Sequence, residues 1–285
     1  MKINFTKMHG AGNDYIFIDC FGGIPFDPCA LAKKMSRRRF SVGSDGVILI
    51  CPSICADAKM RIFNLDGSEG KMCGNGARCV GKYLFESGIS KKRKMSIETL
   101  AGVRRLSLDV VNDNVESVTV DMGRASLFAK DIPVIFKKER VVGEEIDVCG
   151  EKIKITCVSV GNPHAVSFLR SVRGQNVPLI GKKIGECGIF PDGVNAEFAE
   201  VVGKNALFVR VFERGSGETL SCGTGACASA VAAAVEGLCE YGAPISVTLP
   251  GGELKVSVSK SLDVMLTGGA ETVYSGVYEY ESEAE

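Results

Sequence analysis

Short runs of alternating apolar and polar residues dominate this chain, and Gly, Asn and Asp break them. That period of two predicts strands over Ile3–Met8, Tyr15–Asp19, Lys59–Asn64, Arg104–Val110, Val115–Asp121, Lys152–Val160, Ala206–Glu213, Ile245–Leu249, Leu254–Val258 and Asp263–Leu266. A last strand near Tyr274–Tyr280 is expected to return to the first domain, ahead of an acidic tail, Glu281–Glu285, expected to fray. Helical signals are few. Pro28–Arg38 reads as a surface helix with a basic end. Ala77–Phe85 is mostly apolar, and Ala226–Val235 carries no charge at all. A helix apolar on every side has to be buried on every side. Each half is therefore expected to wrap its strands around a central helix, with Gly237 closing the second one.

Both apolar helices begin at a C-G-x-G sequence, and the resemblance between them extends further. The segment Arg61–Ala77 (RIFNLDGSEGKMCGNGA) lies on Arg210–Ala226 (RVFERGSGETLSCGTGA) without a gap, so Cys73 falls on Cys222. The same offset places Gly12-Asn13 on Gly161-Asn162, and a slightly shorter one places Asp45-Gly46-Val47 on Asp192-Gly193-Val194. Three motifs recurring in one order imply two similar halves related by a pseudo-two-fold axis. The expected domains are residues 1–122, completed by 270–285, and residues 123–269. Such an axis would set the two cysteines across one cleft, an arrangement suited to inverting a carbon centre.

Composition narrows the reading. A length of 285 residues suits one large or two medium domains, and the duplication favours two. Lys+Arg and Asp+Glu balance at 34 each, which gives no reason to expect a nucleic-acid or membrane partner. The start of the chain reads as a strand rather than a signal peptide, and a cytoplasmic location is expected. Twelve cysteines in a chain this large need no disulfide framework, and most are expected to be small buried hydrophobes. There is no C-x-x-C, and the histidines are only His9 and His164, so no metal site is expected.

The chemistry gathers at the repeated motifs. A cysteine just ahead of a helix meets unpaired backbone N–H groups and the positive end of the dipole, which lower a thiol pKa. The glycines at 74, 76, 223 and 225 allow close approach of a ligand, and the same N–H groups form a cradle for a carboxylate. Structural cysteines beside glycine turns are the plain alternative. The two copies in register favour the chemical reading. Asn13, Asn64, Asn162 and Asn195 stand at strand ends, where Asn is ordinarily a turn residue and here is placed to supply amides around a zwitterion. Glu213-Arg214 reads as a surface ion pair or as ammonium and carboxylate recognition, with Arg as a bidentate fork. His164, after Asn162-Pro163, is structural or tunes a nearby thiol.

KMHGAGNDY, RIFNLDGSEGKMCGNGARC, VSVGNPHA, DGVNAEF and RVFERGSGETLSCGTGACAS together resemble diaminopimelate epimerase, over residues 7 to about 237. The resemblance implies an α+β fold of two pseudo-symmetric halves, each a mostly antiparallel, barrel-like sheet around a central helix. It implies epimerisation of LL- to meso-2,6-diaminopimelate for lysine synthesis, by two bases and with no cofactor, pyridoxal phosphate or metal, in a cytoplasmic homodimer. By that resemblance Cys73 and Cys222 are the acid/base thiols, and His164 and Glu213 tune them. Asn13, Asn64, Asn162, Asn195, Glu213 and Arg214 bind substrate, and Gly74-Asn75 and Gly223-Thr224 hold its reacting carboxylate. Many family members carry glutamine where this chain has Gly46. The alternative is another cysteine-pair amino-acid racemase or epimerase of the same fold. A proline-type racemase has no distal group to read, so the Arg214 cluster counts against it. A binding protein without turnover and a thiol redox or metal protein leave the paired motifs idle or unexplained.

Overall fold

The computed structural model describes residues 1–281, so the acidic tail from residue 282 onward lies outside the described residues. The chain divides into two compact units, Met1–Val120 with Gly268–Glu285, and Asp121–Thr267.

The first unit opens with seven strands, β1 (Lys2–Gly10), β2 (Asn13–Asp19), β3 (Gly46–Cys51), β4 (Ala58–Asn64), β5 (Glu69–Gly70), β6 (Lys94–Thr99) and β7 (Gly102–Val111), and with most of an eighth, β8 (Asn114–Arg124), whose last four residues belong to the second unit. Two helices join them, α1 (Pro28–Met35) and α2 (Gly74–Glu86). Neighbouring strands pair antiparallel except β2 with β3 and β4 with β6, which run parallel. The second unit holds β9 (Glu144–Val148), β10 (Glu151–Ser159), β11 (Pro163–Phe168), β12 (Asn195–Gly203), β13 (Ala206–Glu213), β14 (Gly217–Thr219), β15 (Pro244–Leu249), β16 (Gly252–Val258) and β17 (Asp263–Gly268). Its helices are α3 (Val177–Gly185) and α4 (Gly223–Val235). Here too the pairing is antiparallel except at two joints, β11 with β12 and β13 with β15. The parallel joints fall at equivalent places in the two strand sequences, so the duplication read from the motifs is also present in the connectivity. Finally β18 (Glu271–Glu279) returns to the first unit and pairs along β1, from Lys2↔Glu279 to His9↔Glu271.

In the second unit α4 is buried as its composition demands. It touches β10, β11, β12, β13, β15 and β16, and every residue from Gly225 to Ala234 is buried. In the first unit α2 packs against β1 and β7, burying Val80, Leu84 and Phe85. Side chains of that size contribute about 1.5–3 kcal/mol each when fully buried. The helix also buries Arg78, fully enclosed, whose Nε donates to Gly269 O at 3.1 Å and whose Nη2 donates to Asn75 Oδ1 at 2.9 Å.

Alternation did not predict β3, β5, β6, β9, β11, β12 or β14; of these, β3 and β12 are buried on both faces through Val47–Ile50 and Ala196–Ala199. A strand covered on both faces loses period two from its sequence. The first helix stops at Met35 rather than Arg38, because Gly43 and Ser44 return their N–H groups to Met35 O and Ser36 O. The short helix α3, capped by Asn176, was hidden by its internal glycine.

Candidate active site

Each central helix starts at the glycine after the repeated cysteine, and the cysteine is its N-cap. Cys73 has extended backbone (φ −138, ψ 120), and its Sγ accepts the Gly76 N–H at 3.4 Å. Cys222 has the same conformation (φ −124, ψ 110), and its Sγ accepts the Gly225 N–H at 3.4 Å. The second glycine of each motif has no room for a side chain. A Cβ on Gly76 would come within 2.5 Å of Ile48 Cδ1, and one on Gly225 within 2.9 Å of Glu197 Oε1. The helix start leaves the first amides, at Gly74 and at Gly223-Thr224, without intrahelical acceptors, the arrangement a carboxylate needs.

Around Cys73 the first unit assembles Asn13, Tyr15 and Asn75. The thiol lies 3.5 Å from Asn13 Oδ1, which also accepts from Asn75 Nδ2 at 3.1 Å. Asn13 in turn donates to Asp45 Oδ2 at 2.7 Å. The buried Tyr15 hydroxyl is within hydrogen-bonding reach of both Cys73 and Asn13. Burial, then the neighbouring thiol, pushes the Tyr15 phenol well above its usual range and keeps it a donor.

Around Cys222 the second unit assembles Asn162, His164, Glu197, Glu213 and Thr224. Cys222 Sγ is 3.4 Å from Thr224 Oγ1, which accepts from Asn162 Nδ2 at 3.3 Å. His164 Nε2 lies 3.0 Å from Asn162 Oδ1, and His164 Nδ1 lies 2.6 Å from Glu197 Oε1. Glu213 accepts from Thr219 Oγ1 at 2.6 Å.

Both thiols are shifted upward, against the expectation drawn from their place at helix starts. Burial is the largest cause at Cys73, partly offset by the Gly76 N–H and the Tyr15 hydroxyl. Cys222 is pushed further, first by burial and then by the neighbouring Glu213 and Glu197 carboxyl groups, against the Thr224 hydroxyl and the Gly225 N–H. Desolvation of a sulfur anion outweighs the helix end at both sites.

The remaining substrate-binding candidates sit at the same strand ends. Asn195 is aligned with His164 across the parallel joint, donates to Pro163 O at 3.2 Å and accepts the Arg214 N–H at 2.8 Å. Arg214 is exposed, and its Nη1 donates to Asp192 O at 2.7 Å. Asn64 ends β4 and donates to Ser68 Oγ at 3.0 Å rather than joining the Cys73 cluster. Gly46 is buried, and a Cβ there would lie 2.2 Å from Phe63 O, so this backbone leaves no room for a side chain at that position. Tyr15 and Glu197 were missed by sequence reasoning. The signal for Glu197 was a charged residue between the apolar Ala196 and Phe198-Ala199.

Of the other ten cysteines, Cys20, Cys51, Cys79, Cys157, Cys227 and Cys239 are buried, whereas Cys29, Cys55 and Cys149 are exposed and Cys187 is half-buried. Among the described residues no three His, Cys, Asp or Glu side chains are grouped to hold a metal ion. No described helix is long and apolar enough to cross a membrane.

Comparison with known proteins agrees with this geometry. The family model described as Diaminopimelate epimerase matches residues 5–128 and 156–273. The chain is 47% identical over 275 residues to the diaminopimelate epimerase of Acetivibrio thermocellus, covering 96% of this chain and 98% of that one. It is 46% identical over 282 residues to the protein of that name from Geobacillus sp. (strain WCH70), covering 98% and 99%. Among solved structures, a probable proline racemase from Agrobacterium radiobacter K84 superposes with a TM-score of 0.72 at 19% identity, covering 98% of this chain and 93% of that one. A PhzF-family phenazine biosynthesis protein from Bacillus anthracis gives 0.70 at 21%, covering 98% and 100%. At those identities the likeness is one of fold.

Proposed function

The chain belongs to the diaminopimelate epimerase family and interconverts LL- and meso-diaminopimelate; we propose that Cys73 and Cys222 are the two bases of that reaction. One cysteine, as thiolate, takes the α-proton from one face of the carbon. The other, as thiol, delivers a proton to the opposite face, and the reverse reaction exchanges the roles. The observation that carries this reading is the pair of matching N-caps, each with its sulfur on a helix-start amide. The α-proton is only weakly acidic, so charge developing on the carbon and its carboxylate needs fixed donors. The starts of α2 and α4, at Gly74-Asn75 and Gly223-Thr224, supply them. Asn13, Asn64, Asn162, Asn195, Glu213 and Arg214 hold the ammonium groups and the distal carboxylate. The scheme asks for no cofactor, since two side chains carry the proton both ways. The product would serve lysine synthesis in the cytoplasm.

The protein is further proposed to act as a homodimer through β18. That strand turns Val273, Tyr274 and Val277 to solvent, at 54%, 45% and 57% exposure. A groove of about 980 Å³ beside it is lined by Ile3, Phe5, Ile24, Phe26 and Val277, on a part of the first unit that does not include Cys73. Light scattering coupled to size exclusion tests this, and a monomer at micromolar concentration ends it.

The two-base reading is tested by turning over LL-diaminopimelate in D2O with a reductant present. Early in the reaction the meso product should carry deuterium at the inverted carbon while the remaining LL pool stays protiated. Protium retained in the product would mean that one base returns its own proton, and the reading would fail.

A further inference from the structure

The second unit contains a buried carboxylate for which the proton exchange has no use. Glu197 and His164 are both at 0% side-chain exposure and share a hydrogen bond of 2.6 Å. The other carboxylate oxygen, Oε2, is buried and has no hydrogen-bond partner among the described residues. An ionised carboxylate left half-solvated in a protein interior is costly, so this pair has to be retained by something other than packing.

The contacts run on from it without a break. Glu197 Oε1 meets His164 Nδ1, His164 Nε2 meets Asn162 Oδ1, Asn162 Nδ2 meets Thr224 Oγ1, and Thr224 Oγ1 meets Cys222 Sγ. The successive distances are 2.6, 3.0, 3.3 and 3.4 Å. A chain of this kind has a direction. If Nε2 carries a proton, it donates to Asn162 Oδ1, and the Asn162 amide donates to Thr224. The Thr224 hydroxyl hydrogen is then free to donate to Cys222, which stabilises a thiolate. If Nε2 is bare, the Asn162 amide turns over and every bond reverses. Cys222 then donates its own proton to Thr224, and the thiol is favoured.

We propose that Glu197 is the positioning residue that fixes this direction, by keeping a proton on His164 Nε2 and so aiming the whole chain of donors at Cys222. A carboxylate facing a neutral ring with Nδ1–H would leave Nε2 bare, but that pair carries a net negative charge, which the buried, unpartnered Oε2 disfavours. The proposed pair therefore holds two protons, one on Nε2 and one shared between Oε1 and Nδ1. If the shared proton sits on nitrogen, the ring is an imidazolium with both N–H groups present. If it sits on the carboxyl, Nδ1 accepts it and Nε2 must hold the ring's own proton. Both placements leave Nε2 as a donor, which a neutral acceptor in Glu197's place would not guarantee. Both also leave the pair with no net charge. The groups facing Glu197 are His164 on β11, Glu213 on β13, Cys157 on β10 and Cys222 at the start of α4. Burial raises the Glu197 carboxyl and the charge of Glu213 adds to it, with His164 opposing. That environment favours retention of the shared proton.

The inference rests on Cys222 being an acid/base group, and its test does not depend on turnover. The test compares wild type with Glu197→Gln in two measurements. One is the pH midpoint of Cys222 alkylation by iodoacetamide, read by peptide mass spectrometry. The other is the ¹⁵N signature of His164, which is readily assigned because His9 is the other of only two histidines. In wild type, Nε2 should give the signature of a protonated ring nitrogen, with a far-downfield proton on the short bond. In Glu197→Gln the downfield proton should vanish, because the amide serves either ring tautomer, and the Cys222 midpoint should rise. A mere bystander charge predicts the opposite, since removing an anion beside a thiol lowers its pKa. A midpoint that falls or stays put therefore overturns the proposal. Glu197→Asp, which keeps the acidic proton on a shorter arm, should return part of the wild-type midpoint. No return at all would also count against the proposal. Should Cys222→Ser keep its turnover, the acid/base assignment would fall, while the alkylation midpoint would still report on Glu197.

Discussion

At the residue scale, Cys73 and Cys222 share a backbone conformation and an amide on the sulfur, yet their surroundings differ. Cys73 has a tyrosine hydroxyl and no carboxylate among its largest influences, whereas Cys222 has two glutamates. Both folded-state pKa values lie above the ordinary thiol value, so the thiolate forms only as pH rises, and later at Cys222. In the ligand-free protein, alkylation of Cys73 should accelerate at lower pH than alkylation of Cys222. Peptide-resolved labelling across pH reads this order, and the reverse order would mean that the Tyr15 and glutamate environments are misassigned. Arg214 makes a different claim. Its Nη1 and its backbone N–H are already fixed on Asp192 and Asn195, which leaves the rest of the fork for a ligand. Arg214→Lys keeps the charge and loses the fork. Steady-state kinetics should show KM rising roughly tenfold to a hundredfold, the cost of one charged bidentate contact, with weaker selection at the distal centre. Unchanged kinetics would place Arg214 outside the binding site.

At the element scale, the sequence was most legible where one face of a strand meets water. The alternating strands β1, β7 and β8 stand where their period places them, and the uncharged stretch in α4 is enclosed as it must be. The parallel, doubly buried strands β3 and β12 were illegible because burial on both faces erases alternation. Nor did spacing reveal that desolvation would exceed the helix-end effect at either cysteine, since that depends on how tightly the surrounding strands close. The C-G-x-G glycines were legible as places of close approach, though not what approaches them. At Gly225 it is Glu197 Oε1, with Val211 Cγ2 at 3.2 Å. Gly225→Ala should therefore destabilise the protein by about 1–3 kcal/mol, the usual cost of overpacking, measured as a lower urea midpoint. A fully tolerated alanine would show that the start of α4 is not packed against that carboxylate.

At the scale of the whole molecule, the chain is one plan used twice. Each unit repeats an antiparallel sheet with two parallel joints, a central helix, and a cysteine at the helix start. Duplication explains why one kind of side chain serves both proton transfers. Divergence explains why the two copies are not equivalent, with Tyr15 beside Cys73 and the His164–Glu197 pair beside the other cluster. Two-base inversion makes both copies necessary. The most direct measurement is turnover of LL-diaminopimelate by Cys73→Ser and Cys222→Ser, each shown to be folded by circular dichroism. A hydroxyl at neutral pH is a far weaker base than a thiol, so each variant should lose at least about 10²–10⁴-fold in kcat. Near wild-type turnover in either folded variant would contradict the two-thiol mechanism.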